Sequence, residues 1–315
     1  MQTDRLLVFG GSGSVVLTRA ICDALDTAPA GGEVLRFPDG NLFVRVCENV
    51  RGRHVYVVQS TGFPPNDNLL ELLFWIDALK RASAASVTAV MPYFSYAKGD
   101  KKDQPRVSIR ARVCADAIEA AGADRVVTVD LHAPQIQGFF SVPVDDLYAL
   151  PALCDATKAL DLADPVVVSP DAGFVKRARL FARRLGAPLA VADKERLGHD
   201  GKMVIHEIIG DVRGRAALIV DDFIVAGSTI AAVGEKLIEC GATDVIAAVT
   251  HGAFTSDCMG RLDASPVRQL LVTDTIETQP VEPSPKLRVV SIAPLLAEAI
   301  RRIHSHESIS VLFDT

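Results

Sequence analysis

The residues best able to do chemistry stand in the stretch 216-AALIVDDFIVAGSTI-230. An apolar run ends in two adjacent carboxylates, Asp221 and Asp222, and a small-residue turn, 226-AGST-229, then opens a helix-like segment. Small residues at a helix start leave backbone N–H groups free to bind a phosphate group. The carboxylates can accept hydrogen bonds from vicinal hydroxyls or hold hydrated Mg²⁺. A sugar phosphate offers both groups, although a capped helix that follows surface acids has the same pattern.

Other polar residues stand where short β-branched runs end. His132, Asp171 and Lys194 each occupy such a position. Ligands of open α/β sheets bind beyond the carboxyl ends of the strands, so we interpret these residues as parts of a site. A structural histidine at His132 and a helix N-cap at Asp171 are the alternatives.

The elements that must position these residues alternate along the chain. Short apolar runs, which predict strands, are separated by helix-like segments such as 68–84 and 174–186. This alternation predicts mainly parallel sheets with helices on both faces. We predict two domains, 1–148 and 149–294, with the segment of about 295–315 packing back on the first. The predicted strands lie in the runs 5–11, 54–60, 87–94, 125–132, 165–171, 188–194, 216–222, 245–252 and 288–294.

Composition excludes several classes of protein. The chain has 315 residues, 49% of them hydrophobic, and its net charge of -6 argues against a nucleic-acid partner. Its six cysteines have no CxxC spacing, and no GxxxxGK[ST] phosphate loop occurs. No apolar run is long enough to span a membrane. We expect a cytoplasmic protein with reduced cysteines and no membrane partner.

The stretch 216–230 resembles the phosphoribosyl-diphosphate motif of type I phosphoribosyltransferases and, much more closely, that of ribose-phosphate diphosphokinases. The resemblance covers essentially the whole chain and implies an α/β fold of two tandem phosphoribosyltransferase-type domains, each with a mainly parallel doubly wound sheet. The further motifs of the second family occur in order: 37-FPDGN, 92-PYFSYAKGDKKDQPR, 128-TVDLHAPQIQGFF, 169-SPDAGFVKRAR, 193-DKER and 308-SISVLF.

That resemblance implies a reaction. The family moves the diphosphoryl group of ATP to the 1-hydroxyl of ribose 5-phosphate, with Mg²⁺ as cofactor, and gives 5-phosphoribosyl 1-diphosphate and AMP. The implied site lies where the domains meet, and a neighbouring subunit contributes the segment 37–41. Ribose 5-phosphate would contact Asp221, Asp222, Val225, Ala226, Gly227, Ser228 and Thr229. ATP would contact Phe37, Asp39, Asn41, Lys98, Gly99 and Asp100.

By the same resemblance, Lys194 and Arg196 lie on a mobile loop and stabilise the transferring group, and His132 and Asp171 hold the metal. Diphosphoryl transfer depends on positioning and charge neutralisation, which cations supply. Lys194 and Arg196 fall on one side of the chain if it is extended there, and Gly198 with Gly201 suits a lid. Two solvated charges are the alternative for Lys194 and Arg196.

The chain departs from the family inside these motifs. The sugar-phosphate motif usually reads DDxxDTGGT or DDxxDTAGT, whereas Val225, Ala226 and Ser228 stand here. The usual Arg-Gln pair of the ATP motif is Lys98-Gly99, and Asn41 replaces an acid. Ala226 removes a hydroxyl donor worth about 1.5–3 kcal/mol, and the Cβ of Ser228 restricts the backbone.

These departures leave three hypotheses. The first is an active ribose-phosphate diphosphokinase, and the second is a non-catalytic paralogue that assembles with or regulates an active synthetase. The third is a phosphoribosyltransferase, which the motifs 37-FPDGN and 193-DKER disfavour.

Assembly and regulation follow from the resemblance alone. It implies a homo-oligomer of dimers assembled into a hexamer, with ADP and phosphate as effectors. Ser308 and Ser310 match a C-terminal element of the family's anion site, and Arg45, Lys102 and Arg106 are candidate basic contributors. Solvated charges and a C-terminal cap are the alternative.

Overall fold

The computed structural model describes residues 6–197, 202–277 and 284–313, without the side chains of residues 195–197, 202 and 203. The chain divides into two compact units. Unit 1 comprises Met1–Tyr148, Thr275–Thr278 and Ile292–Asp314, and unit 2 comprises Ala149–Asp274 with Gln279–Ser291.

Unit 1 is built on a five-stranded, fully parallel sheet with strand order β1-β4-β5-β6-β7. Strands β2 and β3 form a separate antiparallel hairpin. The strands are β1 (Leu7–Gly10), β2 (Gly32–Arg36), β3 (Leu42–Val46), β4 (His54–Val58), β5 (Ser86–Met91), β6 (Arg125–Val129) and β7 (Val144–Leu147). The helices are α1 (Val15–Ala24), α2 (Pro65–Arg81), α3 (Arg110–Ala121) and α8 (Ala293–His304).

The core of unit 1 explains its apolar strands. Residues Val55–Val58 of β4 are fully buried because helices cover both faces of a parallel sheet. Trp75 of α2 packs on Phe9 of β1 with ring centroids 5.6 Å apart. Helix α3 ends at Gly122, whose φ of 110° is the left-handed conformation that glycine adopts readily.

Unit 2 is built on a seven-stranded sheet with strand order β10-β9-β8-β11-β12-β13-β14. All neighbouring strands are parallel except the antiparallel pair β9 and β10. The strands are β8 (Pro165–Ser169), β9 (Leu189–Leu197), β10 (Lys202–Ile209), β11 (Ala216–Ile224), β12 (Asp244–Gly252), β13 (Gln269–Thr273) and β14 (Leu287–Val290). The helices are α4 (Leu150–Lys158), α5 (Val175–Leu185), α6 (Ser228–Glu239) and α7 (Cys258–Asp263).

The strand order of unit 2 reverses direction at its centre. From β8 the chain proceeds to β9 and β10 on one side, and then returns to β11 and proceeds outwards on the other side. Such a reversal opens a crevice at the carboxyl ends of the two central strands, where α/β proteins bind ligands. The sheet of unit 1 has no such reversal among its strands, because their spatial order follows the chain order.

The antiparallel hairpin β9–β10 contains an irregularity beside a predicted site residue. Ile205 pairs with Lys194, whereas Glu207 pairs with Asp193, so β10 carries one extra residue at His206. An extra residue of this kind is a β-bulge, which bends the strand and increases its twist. The hairpin therefore changes direction at Lys194.

The structure confirms the predicted fold class, and each of the nine predicted runs overlaps a strand. The expectation that Lys194 and Arg196 lie on a loop is wrong, because both residues pair in the ladder between β9 and β10, opposite Ile205 and Met203, whereas their mobility stays a prediction. The predicted lid glycines, Gly198 and Gly201, lie outside the described residues. Within the described part of the chain, no helix is long and apolar enough to cross a membrane.

Candidate active site

Four of the predicted residues lie on or just after three neighbouring strands of unit 2, β9, β8 and β11, beside the crevice. Asp171 follows β8, Lys194 lies in the outer half of β9, and Asp221 and Asp222 stand near the end of β11. The Lys194 Nζ atom donates to Asp171 Oδ2 at 2.8 Å, and only 12% of the lysine side chain is exposed. A lysine this sheltered is not a solvated surface charge, so the ion pair fixes a cation at the crevice.

Asp171 has two sets of partners. Its Oδ1 atom accepts hydrogen bonds from the backbone N–H groups of Gly173 and Phe174, at 2.9 and 3.2 Å, in the turn that leads into α5. Its Oδ2 atom binds Lys194. The carboxylate therefore orders the turn and also positions the lysine, but Asp171 is not the N-cap of α5, because Phe174 occupies that position.

The paired carboxylates are largely shielded from water. Asp222 is 5% exposed, and Asp221 is partly exposed. Asp221 Oδ1 accepts the N–H of Asp222 at 2.9 Å, and Asp222 Oδ1 accepts the N–H of Phe223 at 2.9 Å. Burial, followed by the negative charge of Asp222, raises the pKa of Asp221 well above its ordinary value. Hydroxyl donors or a cation bound there would stabilise the charged form.

The loop after β11 presents main-chain donors. Among the residues that the structure describes, no acceptor is found for the backbone N–H groups of residues 226–229. The loop is anchored by the Val225 carbonyl, which accepts the N–H of Thr255 at 3.0 Å. Unsatisfied N–H groups at the start of the twelve-residue helix α6 form a cradle for an anion.

Gly227 is the residue that shapes this cradle. Its φ of 73° is left-handed, and a Cβ placed on it would lie 3.1 Å from the Sγ atom of Cys258. The restriction that the Cβ of Ser228 places on the backbone has no cost here, because Ser228 is the first residue of α6 and does not have a positive φ. Its hydroxyl, like that of Thr229, is therefore added to the cradle without backbone strain.

The residues predicted to contact ATP lie in unit 1. Phe37, Asp39 and Asn41 belong to the turn of the hairpin β2–β3, where Asn41 donates to Asp39 through its backbone N–H at 3.1 Å and its side-chain amide at 2.7 Å. These hydrogen bonds lower the pKa of Asp39. The Phe37 ring is half-exposed and packs on Phe43, with centroids 6.0 Å apart.

Lys98, Gly99 and Asp100 lie in and just after a short helical turn that follows β5, and Lys98 borders a cavity of about 510 Å³. The sequence interpretation missed Arg110, which also lines this cavity. The run of basic residues from 98 to 110 was the available signal.

The predicted metal ligands are distributed over both units. His132 is exposed and follows β6 in unit 1, whereas Asp171 lies in unit 2. No group of three or more His, Cys, Asp or Glu side chains able to hold a metal occurs among the described residues. The carboxylate of Asp171 nevertheless suits Mg²⁺, which takes one or two carboxylates and completes its shell with water and substrate phosphate. The side chain of Arg196 lies outside the described residues.

Comparisons with known proteins agree with this geometry. Residues 6–122 match a family described as the N-terminal domain of ribose phosphate pyrophosphokinase. Residues 200–314 match the phosphoribosyl synthetase-associated domain. A phosphoribosylpyrophosphate synthetase from Mycobacterium smegmatis superposes with a TM-score of 0.89 at 41% identity, over 96% of this chain and 100% of that one.

Curated relatives extend the match to the full chain. The ribose-phosphate pyrophosphokinase of Rhizobium meliloti (strain 1021) is 46% identical over 98% of this chain and 99% of its own length. The enzyme of the same name from Caldanaerobacter subterraneus subsp. tengcongensis is 47% identical over 99% of this chain and 98% of its own. The chain therefore belongs to the ribose-phosphate pyrophosphokinase family.

Proposed function

We propose that this protein transfers the diphosphoryl group of ATP to the 1-hydroxyl of ribose 5-phosphate, giving 5-phosphoribosyl 1-diphosphate and AMP. The observation that carries the proposal is the stretch from Asp221 to Thr229. It presents two shielded carboxylates and, a few residues later, a row of N–H groups that have no acceptor in the described part of the chain. Vicinal hydroxyls fit the carboxylates, and a phosphate fits the N–H groups.

Ribose 5-phosphate binds through main-chain atoms more than through side chains. Ala226, Gly227, Ser228 and Thr229 each offer an N–H group whatever their side chains, and the hydroxyls of Ser228 and Thr229 add donors. Val225 contributes its carbonyl to the anchor at Thr255. The departures from the family motif therefore preserve the means of binding, and we propose that the protein is active, not a non-catalytic paralogue.

Lys194 acts on the group in transfer. The ion pair with Asp171 holds its ammonium group at the crevice, and binding of Mg²⁺ by Asp171 would release that group towards the substrate. A fixed positive charge stabilises the charge that develops on the diphosphoryl oxygens. Arg196 is the proposed second cation. Mg²⁺, held by Asp171 and His132, would neutralise the phosphate chain of ATP.

The nucleotide side of the site is assigned to unit 1. ATP contacts Phe37, Asp39 and Asn41 from a neighbouring subunit, and Lys98, Gly99 and Asp100 in the same one. An exposed aromatic ring provides a surface on which a purine stacks, and Lys98 provides positive charge for phosphate.

The remaining proposals concern organisation. Two phosphoribosyltransferase-like domains span 1–148 and 149–294, with the segment of about 295–315 on the first. The protein is a cytoplasmic homo-oligomer of dimers assembled into a hexamer, and ADP and phosphate are its effectors. Ser308 and Ser310 support the effector site, since Ser308 Oγ donates to Ser310 Oγ at 3.1 Å in a compact C-terminal turn.

The reaction is tested with purified protein, ATP, Mg²⁺ and ribose 5-phosphate, and AMP release is measured. We expect AMP formation that requires all three components. Absence of AMP above background, from folded protein with an intact oligomer, would contradict the proposal and favour the non-catalytic paralogue.

Lys194→Ala tests the role of the lysine within the reaction. It should lower kcat by about 10²–10³-fold and change ATP affinity much less, because its charge acts on the transition state. Lys158→Ala, which removes an exposed lysine of α4, is the matched control and should be active. Equal losses in kcat and in ATP affinity would argue against a transition-state role.

A further inference from the structure

The cavity of unit 1 is strongly cationic. Its volume is about 510 Å³ and its walls come from the segment 98–110, between β5 and α3. Three cationic side chains and a single carboxylate line it, together with polar and small residues. The lining residues are Lys98, Lys101, Asp103, Gln104, Val107, Ser108 and Arg110. The excess of positive charge selects an anionic ligand.

Arg110 covers a buried glycine at the wall of this cavity. A Cβ placed on Gly99 would lie 2.7 Å from the Nε atom of Arg110 and 2.9 Å from its Cβ. Heavy atoms this close cannot coexist, so any other residue at position 99 would displace the arginine. Gly99 does not have a positive φ, so its backbone does not require glycine. The glycine is needed for space, and the occupant of that space is Arg110.

The guanidinium of Arg110 has its donors available. Among the described residues, no hydrogen bond or ion pair is found for it. Its neighbour two residues along the same helix differs, since Arg112 pairs with Asp116 and donates to the Phe139 carbonyl at 2.8 Å. A guanidinium offers five N–H groups in a planar fork that matches two oxygens of a phosphate.

We propose that Arg110 is a nucleotide-binding residue, which holds a phosphate group of ATP in this cavity through a bidentate contact. The inference rests on the proposed function for the identity of the nucleotide. Lys98 and Lys101 neutralise the remaining charge but act as point charges, so the arginine alone of these three provides a directional fork. The absence of a side chain at Gly99 leaves room for the Arg110 side chain to hold its guanidinium in this position.

The experiment measures ATP binding directly, by titration calorimetry of the full-length oligomer with Mg²⁺ and without ribose 5-phosphate. Arg110→Ala should raise the Kd for ATP about 10- to 100-fold. Arg110→Lys, which keeps the charge and removes the fork, should raise it about fivefold. Arg112→Lys on the same helix is the control and should change it less than twofold.

A double-mutant cycle tests whether Gly99 acts by leaving room for Arg110 or whether its substitution damages the protein in general. Gly99→Ala alone should raise the Kd for ATP about tenfold, because it displaces Arg110. Added to Arg110→Ala, the same substitution should raise the Kd much less than it does alone, since no arginine remains to be displaced. The KM for ribose 5-phosphate should stay within twofold of wild type in every variant.

Three results would overturn the inference. The first is an ATP Kd within twofold of wild type in both Arg110 variants. The second is an equal loss of affinity for ATP and for ribose 5-phosphate, which indicates a structural defect. The third is an altered response to inorganic phosphate or ADP at unchanged ATP affinity, which assigns the cavity to an effector. Because binding is measured without turnover, Arg110-dependent ATP binding by an inactive wild type would contradict the proposed reaction and still support this inference.

Discussion

Two strand-to-helix turns of this molecule share a local design and differ in what occupies them. The turn after β1 begins α1 with the glycine- and serine-rich sequence 10-GGSGS, as the turn after β11 begins α6 with 226-AGST. In the first, Gly13 N donates to Gln59 Oε1 at 3.0 Å, and Ser12 N donates to Glu71 Oε1 at 2.8 Å. The protein's own oxygens thus occupy the positions of an anion.

The first turn of helix α1 is satisfied in the same way. Val16 N donates to Glu277 Oε2 at 2.9 Å, and Leu17 N donates to the other oxygen of that carboxylate. By contrast, the N–H groups of residues 226–229 at α6 have no acceptor in the part of the chain that the structure describes. Small residues at a helix start therefore do not make a ligand site unless the surrounding chain leaves their donors free.

The largest expected effect comes from the carboxylates beside the free turn. The double variant Asp221→Asn/Asp222→Asn should lower kcat/KM for ribose 5-phosphate about 10²–10⁴-fold, because two hydrogen bonds to charged groups are weakened at about 1.5–3 kcal/mol each. Steady-state kinetics with varied ribose 5-phosphate measures it. Glu235→Gln, an exposed carboxylate of α6, is the control. A loss below tenfold would mean that the carboxylates do not recognise the sugar.

Gly227→Ala perturbs the same turn through its backbone. The new Cβ meets Cys258 Sγ at 3.1 Å and favours a negative φ, so we expect about tenfold weaker binding of ribose 5-phosphate and a loss of about 1–2 kcal/mol in the free energy of unfolding. Gly214→Ala is the matched control in unit 2, because its φ is 74° with open space around it. The control should lose similar stability and no affinity. If the two variants bound ribose 5-phosphate with equal affinity, Gly227 would not shape the cradle.

The next effect is the dependence of the free energy of unfolding on the protonation of Asp221. Its raised pKa means that the folded state binds this proton more tightly than the unfolded chain does. The free energy of unfolding should therefore fall as pH rises from about 4, the ordinary carboxyl pKa, through the raised pKa of the folded protein. Asp221→Asn should lessen this fall, measured by urea unfolding in metal-free buffer. Parallel pH profiles for the two proteins would contradict the burial of a charge here.

The smallest effect concerns the turn before α1, whose N–H groups are bound by the protein's own oxygens. Glu277→Ala leaves Val16 N and Leu17 N without their acceptor, and we expect the free energy of unfolding to fall by about 1 kcal/mol, as when a helix cap is removed. The values of kcat and KM should stay within twofold of wild type. A change in the free energy of ribose 5-phosphate binding larger than the change in the free energy of unfolding would show that the turn before α1 takes part in binding.

The sequence predicted the features that depend on residues close together in the chain. The apolar runs predicted the strands because residues buried on both faces of a parallel sheet are apolar throughout. The motif from Asp221 to Thr229 predicted the free turn because carboxylates, loop and helix start are consecutive. The extension of β9 beyond the predicted run 188–194 and its antiparallel partner β10 were not predicted, and 193-DKER has no alternation of polar and apolar residues that indicates a strand.

What the sequence could not provide is the pairing of distant residues. Nothing near 10-GGSGS announces Glu71 or Glu277, which lie 59 and about 260 residues further along the chain. The sequence likewise gives no sign that the Arg110 side chain fills the space beside Gly99, because a glycine in a sequence indicates first a flexible backbone position.

The bulge at His206 affects how the protein tolerates change. On the inner side of the bulge, β9 is held both by β8 and by β10, whereas on the outer side it is held by β10 alone. Lys194 forms the first pair on the outer side, opposite Ile205, so within this sheet only β10 holds its backbone. A change in the length or sequence of the outer hairpin is therefore transmitted to this lysine, whereas the inner part of β9, which β8 also holds, is insulated from it.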